Sequence, residues 1–341
     1  LITNMSGVDI GLFEFDFDTT FAVLVLNEDR ETLLRYGGRD SKSAESFVSQ
    51  PSLEKALQRG LALHEKWKSG DLKLPGASES KPSDAYPFVA NIGRRRCIHC
   101  HDVASGKAID QFQSADFDLR KDIWIYPEPI SLGLDLDPDD GTLLRAVSGS
   151  AAEAGLRANH RIIEVNDKPA STFADIQYHL HKLPLEAESV RVRLEGGKPV
   201  TSPLSPGWRY SDITWRRIGL RLSPSAGFGG APLNPEKKKI LKLPVDGFAT
   251  EVSFFDFPRP VDSPLEQGDI VFSVNGATSS RIIDHAALYI TLTSRIGDLM
   301  ELGVMRNGKT LKIPLTISEP PSQEERIMDS DAKGGRMRGG K

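Results

Sequence analysis

The only two cysteines of the 341-residue chain are Cys97 and Cys100, and His101 follows directly after them. This is the C-x-x-C-H spacing of covalent haem attachment. Two thiols at this separation reach two vinyl groups on one edge of a porphyrin, and the next imidazole reaches the iron as an axial ligand. We therefore predict haem c as the cofactor of these three residues, with His64 as the nearest candidate for a distal ligand.

Other chemistries remain open for the same three residues. Two thiolates are enough to bind Cu(I), whereas a structural zinc ion needs four ligands and would have to recruit histidines from elsewhere. A redox-active pair of thioredoxin type stands at a strand-to-helix junction. The sequence "ANIGRRR" before Cys97 does not predict a strand. Haem, copper, zinc, a thiol pair that exchanges electrons with a redox partner, and a plain structural role are therefore the alternatives.

The composition excludes two classes of partner. The formal net charge is −4, which argues against nucleic acid as a general partner. No apolar run approaches the ~20 residues that a membrane-spanning helix needs. The chain opens on Leu1 without a basic segment followed by an apolar one, which indicates a truncated or processed start.

The first seventy residues predict a hairpin followed by a helix. Apolar strands are expected at 21–26 and 32–36, with a polar turn between them. Pro51 then opens an amphipathic helix. This order resembles the C-terminal half of a thioredoxin-like domain, which implies a partial α/β segment over 1–70 whose redox half would lie upstream of Leu1. The predicted core face of the helix consists of Leu53, Ala56, Leu57, Gly60, Leu61 and His64.

Composition changes divide the rest of the N-terminal half. Residues 71–92 are rich in Pro, Ser and Gly and are predicted to be a linker. Residues 93–130 form the cysteine-containing segment.

At the other end of the chain, residues 318–341 have too few apolar side chains to build a core, and we expect them to be disordered.

An internal repeat occupies the region after residue 130. One copy begins with "SLGLDLD" at Ser131 and the other with "RIGLRLS" at Arg217. Each copy continues into a strand that ends in Val-Asn, at Asn166 and Asn275, and then into a helix and a final strand.

The repeat resembles the PDZ fold in its bacterial, Deg/Htr-protease-like arrangement. The likeness is carried by 151–156 with 162–166 in the first copy, and by 268–271 with 274–276 in the second. The first copy departs from the family at Asn159 and His160, where Gly-Asp is usual. The resemblance implies two PDZ-like β-sandwich or barrel domains, at 131–200 and 215–317. The expected fold class is thus multidomain, α/β plus α+β.

A PDZ domain binds an extended peptide as an added strand and holds its terminal carboxylate in a nest of backbone N–H groups. The alternative is that the same positions are ordinary strand starts with core side chains. On the peptide-binding interpretation, replacing Gly133 with Val should block the carboxylate and leave the fold intact. The resemblance assigns the carboxylate loops to Leu132, Gly133 and Leu134 and to Ile218, Gly219 and Leu220. It assigns the facing helix walls to Ile176, His179 and Leu180 and to Ala286, Leu288 and Tyr289.

Taken together, the segments resemble an exported bacterial multidomain family that combines a thioredoxin-like segment, a CxxCH segment and two PDZ copies. The resemblance implies a periplasmic or otherwise exported, non-catalytic protein that recognises peptide C-termini and carries a haem, metal or redox segment. No Gly-x-Ser-x-Gly stretch appears in the chain, so we predict that it is not a protease. The alternatives are a thioredoxin-like electron-transfer protein with its redox motif upstream of residue 1, and a regulatory fragment of an envelope serine protease.

Overall fold

The computed structural model describes residues 1–74, 76, 79–94, 96–114, 117–205, 207–211, 213, 216, 225–255, 264–280, 283 and 285–318. The chain divides into two compact units, Leu1–Ser211 and Asp212–Lys341. Both contain helices and small sheets, as the predicted mixed class requires. Within the described ranges there are five sheets, none of them closed into a barrel. No helix in these ranges is both long and apolar enough to cross a membrane.

Over its described residues, the first unit contains eight strands and six helices, with short 3-10 turns at Ser83–Ala85 and Pro129–Leu132. In chain order they are β1 (Ala22–Leu26), β2 (Thr32–Gly37), α1 (Gln50–Lys68), α2 (Pro87–Gly93), α3 (Cys100–Gln113), α4 (Leu119–Asp122), β3 (Leu134–Leu136), β4 (Leu144–Val147), α5 (Gly149–Glu153), β5 (Ile162–Val165), β6 (Lys168–Pro169), α6 (Phe173–His181), β7 (Ser189–Leu194) and β8 (Pro199–Pro203).

The second unit is described over six strands and two helices. They are β9 (Phe228–Gly229), α7 (Pro235–Ile240), β10 (Thr250–Glu251), β11 (Phe254–Phe255), β12 (Ile270–Val274), α8 (Ala286–Thr293), β13 (Leu299–Arg306) and β14 (Lys309–Thr316). The predicted tail beyond residue 318 lies outside the described residues.

The hairpin of β1 and β2 and the helix α1 are confirmed, and the predicted core face of α1 is confirmed in part. Ala56 and Gly60 are buried, but Leu57 and Leu61 are 47% and 70% exposed. Gly60 faces the hairpin, where a Cβ would come within 3.3 Å of the side chains of Val25 and Leu34. Because small residues let the helix approach the strands there, Leu57 and Leu61 face outward. The buried positions of α1 are Ser52, Ala56, Gly60 and Leu63.

The predicted linker over 71–92 is partly structured. Pro87–Gly93 forms α2, which begins at a proline in the first helical turn, a position where the missing N–H costs nothing. Phe88, Val89 and Ile92 are buried, and they share an apolar cluster with Ile98 of the cysteine segment. This packing anchors the cysteine segment to α2.

The internal repeat is visible in the sheets of the two units. The first has the strand order β6-β5-β7-β8 and the second has β10-β12-β13-β14. Asn166 and Asn275 both have φ 49°, a left-handed conformation that asparagine tolerates better than most residues. Each side-chain oxygen accepts a backbone N–H from the neighbouring strand, from Arg191 at 2.9 Å and from Glu301 at 2.8 Å. Both turns therefore use asparagine for the same purpose, to close β5 onto β7 and β12 onto β13.

A buried carboxylate fixes α1 to the rest of the first unit. Asp140 lies between β3 and β4 with 4% of its surface exposed. Its two oxygens accept from Arg59 Nη2 of α1 at 2.8 and 2.9 Å, and one of them also accepts from Arg161 next to β5. Burial raises the pKa of Asp140, but hydrogen bonds from Arg161, Thr142 and Arg59 outweigh it and hold the pKa well below the usual range.

We expect Asp140→Asn to lower the free energy of unfolding by about 3 kcal/mol, because it leaves two guanidinium groups facing a neutral amide. The folded pKa of Asp140 is depressed, so its contribution is present above an unfolded pKa of ~3.9 and is lost as pH falls below it. Urea unfolding of both proteins at pH 7 and pH 3 measures this. The difference between them should shrink at pH 3.

Asp135→Asn is the matched control, since Asp135 pairs with Arg145 on the surface, where the Arg145 side chain is 53% exposed. Exposed pairs contribute about 1 kcal/mol or less. Equal losses for the Asp135 and Asp140 variants at pH 7 would contradict the anchoring role of Asp140.

Candidate functional site

The elements that the sequence predicts for peptide binding lie next to one another in the first unit. Among the described strands, β3 pairs only with β4, so its other edge is unpaired. The 3-10 turn before β3 packs against α6, and side chains of both elements belong to one apolar cluster. We call the region bounded by Leu132–Leu136 and by Phe173 and Gln177 of α6 the β3/α6 cleft.

The predicted carboxylate loop has one N–H group already in use. Leu132 and Leu134 are buried, and Gly133 has φ 80°. The N–H of Gly133 donates to the carbonyl of Ile130 at 2.9 Å, and its own carbonyl accepts from Ser148 N at 2.9 Å. The N–H of Gly133 is therefore not available to a carboxylate, which corrects that part of the predicted nest.

The predicted helix wall also needs correction. Ile176 and Leu180 are at most 1% exposed and belong to the core. His179 has its Nε2 2.8 Å from the carbonyl of Pro169, and burial lowers the pKa of His179 to about 4. The helical period of apolar residues identifies the core face of α6. Phe173 and Gln177 border the cleft. Phe173 precedes the core residues Ile176 and Leu180, and Gln177 lies between them.

The second copy can be compared only in part. Ile218, Gly219 and Leu220 lie outside the described residues. On α8, Ala286 and Leu288 are buried, and Tyr289 is half-buried and packs against the core. A feature that the sequence did not indicate is His285, which caps α8. Its Nδ1 accepts from Leu288 N at 3.2 Å, and its Nε2 donates to the carbonyl of Gly230 at 2.8 Å.

The cysteine segment is a rigid turn at the start of α3. Cys100 is the first residue of the helix and Cys97 is exposed. Between them, Ile98 is fully buried. The carboxylate of Asp102 accepts two bonds from Arg96, at 2.9 and 2.8 Å, and one from His99 N at 2.9 Å. The hydrogen bonds from Arg96 and His99 to Asp102 hold this turn in place, and the Cys97 thiol faces solvent.

The donor groups fit some of the predicted cofactors better than others. Cys97, Cys100 and His101 lie within five consecutive residues at the start of α3, and the His101 side chain is 30% exposed. The Cys100 side chain packs against the apolar cluster that contains Ile98, whereas Cys97 is exposed. His64 lies on α1 with its ring 5.6 Å from that of Trp67. Within the described ranges, no three His, Cys, Asp or Glu residues are arranged to hold a metal ion. The four ligands of a structural zinc site are therefore not assembled there.

The two thiols differ in their environment. Burial raises the pKa of the Cys100 thiol, and the nearby Asp102 carboxylate raises it further. Because the thiolate is the reactive form, Cys100 is held in its less reactive state at neutral pH. Cys97 is exposed. The segment therefore offers one accessible thiol and one protected thiol.

Comparison with known proteins gives little support for a family. No protein-family model matches the chain, and no curated protein matches it. Among solved structures, the HtrA-type protease AlgW with a decapeptide is similar at 15% identity over 40% of this chain, with TM-score 0.24. A serine-to-alanine variant of AlgW with a decapeptide has 14% identity over 40% of this chain, with TM-score 0.25.

The same AlgW variant with a tripeptide has 17% identity over 38% of this chain, with TM-score 0.22. The chain spans 42% of the length of these structures. At such TM-scores the similarity supports no conclusion about the fold or the function of this chain.

We predict that Gly133→Ala destabilises the fold. A Cβ at Gly133 would stand 2.2 Å from the carbonyl oxygen of Ser148, on a residue with φ 80°. Gly196→Ala is the matched control, since Gly196 has φ 69° with no atom within 4 Å of its Cβ position. The free energy of unfolding of the control should fall by about 1 kcal/mol because of backbone strain alone. Gly133→Ala should lose at least about twice as much in urea unfolding.

An equal loss for the two variants would contradict the close approach at Gly133. The same geometry corrects the expectation that Gly133→Val leaves the fold intact, because a β-branched side chain adds to the strain at positive φ.

We also predict that Cys97 reacts with iodoacetamide faster than Cys100 in the reduced protein at pH 7, by roughly tenfold. The difference follows from the exposure of Cys97 and the raised pKa of Cys100. Mass spectrometry of peptides from timed samples measures both rates. In 6 M urea, as a control, the rates should converge, and equal rates in the folded protein would contradict the protected state of Cys100.

Proposed function

We propose that this chain is a non-catalytic peptide-binding protein whose β3/α6 cleft takes an extended peptide. The observation that carries the proposal is the unpaired edge of β3 beside α6. The succession of β3, β4, α5, β5, β6, α6, β7 and β8 follows the PDZ arrangement, in which a peptide joins the sheet as an added strand. Backbone hydrogen bonds to β3 would then supply affinity, and the side chains of the cleft would supply selectivity.

The end of the cleft at Gly133 is the place for a peptide C-terminus. Gly133 holds this turn in a left-handed conformation, and the carbonyl of Ser148 takes the space where its Cβ would stand, so the carboxylate would approach the turn from another side. Because the N–H of Gly133 is already bonded, the carboxylate would use the other N–H groups of that turn. We extend the proposal to the second unit on the strength of its strand order β12-β13-β14, which matches β5-β7-β8, and of its Val-Asn turn.

Nuclear magnetic resonance titration tests the proposal. Peptides with free C-termini, selected from a display library and added to millimolar concentration, should shift the amide signals of Leu134 and Gln177. The same peptides with amidated C-termini should bind at least about tenfold more weakly if the carboxylate is recognised. The absence of shifts at the cleft, in this chain and in a Phe47→Ala variant, would contradict the proposal.

As a second function we propose that the cysteine segment carries one covalent haem. The supporting observation is that Cys97, Cys100 and His101 lie within five residues at the start of α3, on a turn held by Asp102. The two sulfur atoms would form thioether bonds and the imidazole would be an axial ligand, and the group would give the protein an electron-transfer centre. Such attachment is in keeping with an exported, periplasmic location, which we include in the proposal.

Production in a host with cytochrome c maturation machinery tests haem attachment. The purified protein should show a Soret absorbance band that survives acid–acetone extraction. A Cys97→Ala/Cys100→Ala double variant should lose the band. A colourless protein with stoichiometric copper would contradict haem attachment and favour thiolate coordination of Cu(I).

A further inference from the structure

The β3/α6 cleft is covered by a segment of the chain itself. Residues 38–48, which we call the covering segment, connect β2 to α1. Its aromatic residue, Phe47, stacks on Phe173 of α6 with ring centroids 3.6 Å apart and an angle of 6° between the planes. Phe47 is 8% exposed and lies in the same apolar cluster as Leu132 and Leu134. An internal side chain therefore fills the apolar part of the cleft.

The start of the covering segment lies directly on α6. Gln177 Nε2 donates to the carbonyl of Arg39 at 3.1 Å. A Cβ on Gly38 would stand 2.8 Å from Gln177 Oε1 and 3.1 Å from the Phe173 ring, and Gly38 has φ 87°. Only glycine combines this backbone conformation with such an approach. The backbone at Gly38 thus occupies space along α6 that an extended ligand would need.

The strand before the covering segment is also bonded to α6. The N–H of Arg35 donates to the carboxylate of Asp175 at 2.8 Å, and the hydroxyl of Thr172 donates to the carbonyl of Arg35. These bonds lie two and five residues before Gln177 in the chain and hold β2 against the start of α6. The position of the covering segment is therefore set from its N-terminal side.

The covering segment has its own polar framework. Asp40 Oδ1 accepts from the backbone N–H groups of Lys42 and Ser43, both at 3.0 Å, and from Ser46 Oγ at 2.6 Å. Ser41 N donates to Glu128, the residue before the turn that leads into β3, at 3.0 Å. Residues 41–43 are exposed. The covering segment is thus a polar loop with its own hydrogen bonds, and it buries one aromatic side chain. It is not a strand or a helix.

The fit of the covering segment leaves one polar group of the cleft unsatisfied. Gln177 is 1% exposed, and no described donor reaches its Oε1. Its Nε2 already donates to the carbonyls of Arg39 and Tyr126, which fixes the orientation of the amide. A buried acceptor without a donor is unfavourable. A ligand that offers an N–H to Gln177 Oε1 would satisfy a group that the covering segment does not.

We propose that residues 38–48 are a tethered occupant of the β3/α6 cleft. A peptide enters by displacing them and places an aromatic or large apolar side chain where Phe47 stacks on Phe173. The proposal rests on the proposed function and deepens it, since it names the ligand class and the regulation of the same site. A tethered segment competes at an effective concentration of the order of millimolar. Peptides of low affinity therefore bind the wild-type cleft only to a small extent.

Fluorescence anisotropy of a labelled peptide that copies residues 38–49 tests the proposal on the full chain. Phe47→Ala should bind this peptide roughly tenfold or more tighter than the wild type does. A peptide with Ala in place of Phe should show no such gain. Phe15→Ala is the matched control, because Phe15 is also 8% exposed but belongs to a different apolar cluster.

Circular dichroism first establishes that both variants are folded. A folded Phe47→Ala protein that binds no tighter than Phe15→Ala overturns the proposal and makes Phe47 an ordinary core residue. If Phe47→Ala does not fold, Asp40→Ala replaces it, since that change loosens the loop framework and leaves the stacked rings in place. Asp40→Ala should then bind the peptide at least about threefold tighter than the wild type, and no gain overturns the proposal.

The outcomes also separate this proposal from the proposed function. If unrelated C-terminal peptides bind the wild type and Phe47→Ala with equal affinity at the cleft, the cleft binds peptides and the covering segment does not compete. If neither protein binds any peptide at millimolar concentration, both the proposed function and the tethered occupant are wrong.

Discussion

The buried carboxylate of Asp140 holds α1 against the strands of the first unit. It joins Arg59 of α1 to Arg161 beside β5, so that a helix and a sheet that are distant in sequence are held together. The residue before it extends the contact, because Asp139 accepts from Ser49 Oγ at 2.7 Å and from Lys55 Nζ at 2.8 Å. The N-terminal end of α1 is thereby fixed beside the loop that follows β3.

The position of Phe47 follows from this anchor. Phe47 lies two residues before Ser49, the N-cap of α1, so it can reach only the surface next to the anchored helix end. That surface is the β3/α6 cleft, where Phe173 receives it. The covering segment is fixed at its other end by the bonds between Arg35 and α6. Because both ends are held, ordering the eleven residues between them costs less conformational entropy than in a free loop.

The sequence predicted what depends on local pattern. The hairpin of β1 and β2 is confirmed because a polar turn separates two apolar runs. The two Val-Asn turns are confirmed as equivalent because Asn166 and Asn275 use the same left-handed backbone and the same side-chain acceptor. The arrangement of Cys97, Cys100 and His101 on one turn followed from their spacing alone.

The sequence missed what depends on contacts between distant segments. The apolar period of α1 placed Leu57 on the core face together with Gly60. Leu57 is exposed, because the helix approaches β1 and β2 closely at Gly60, where a small residue is required. The period of α6 selected Ile176, which is core, and passed over Gln177, a polar residue that borders the cleft. Nothing in the local pattern around Phe47 indicates that its partner is Phe173.

An isotope-edited nuclear Overhauser experiment directly measures the stacking of Phe47 on Phe173. In a protein with labelled phenylalanine, and with Phe47→Leu to assign the signals, we expect strong cross-peaks between the ring protons of Phe47 and Phe173. These cross-peaks should weaken when a cleft-binding peptide is added. Assigned rings without cross-peaks between them in the peptide-free protein would contradict this stacking.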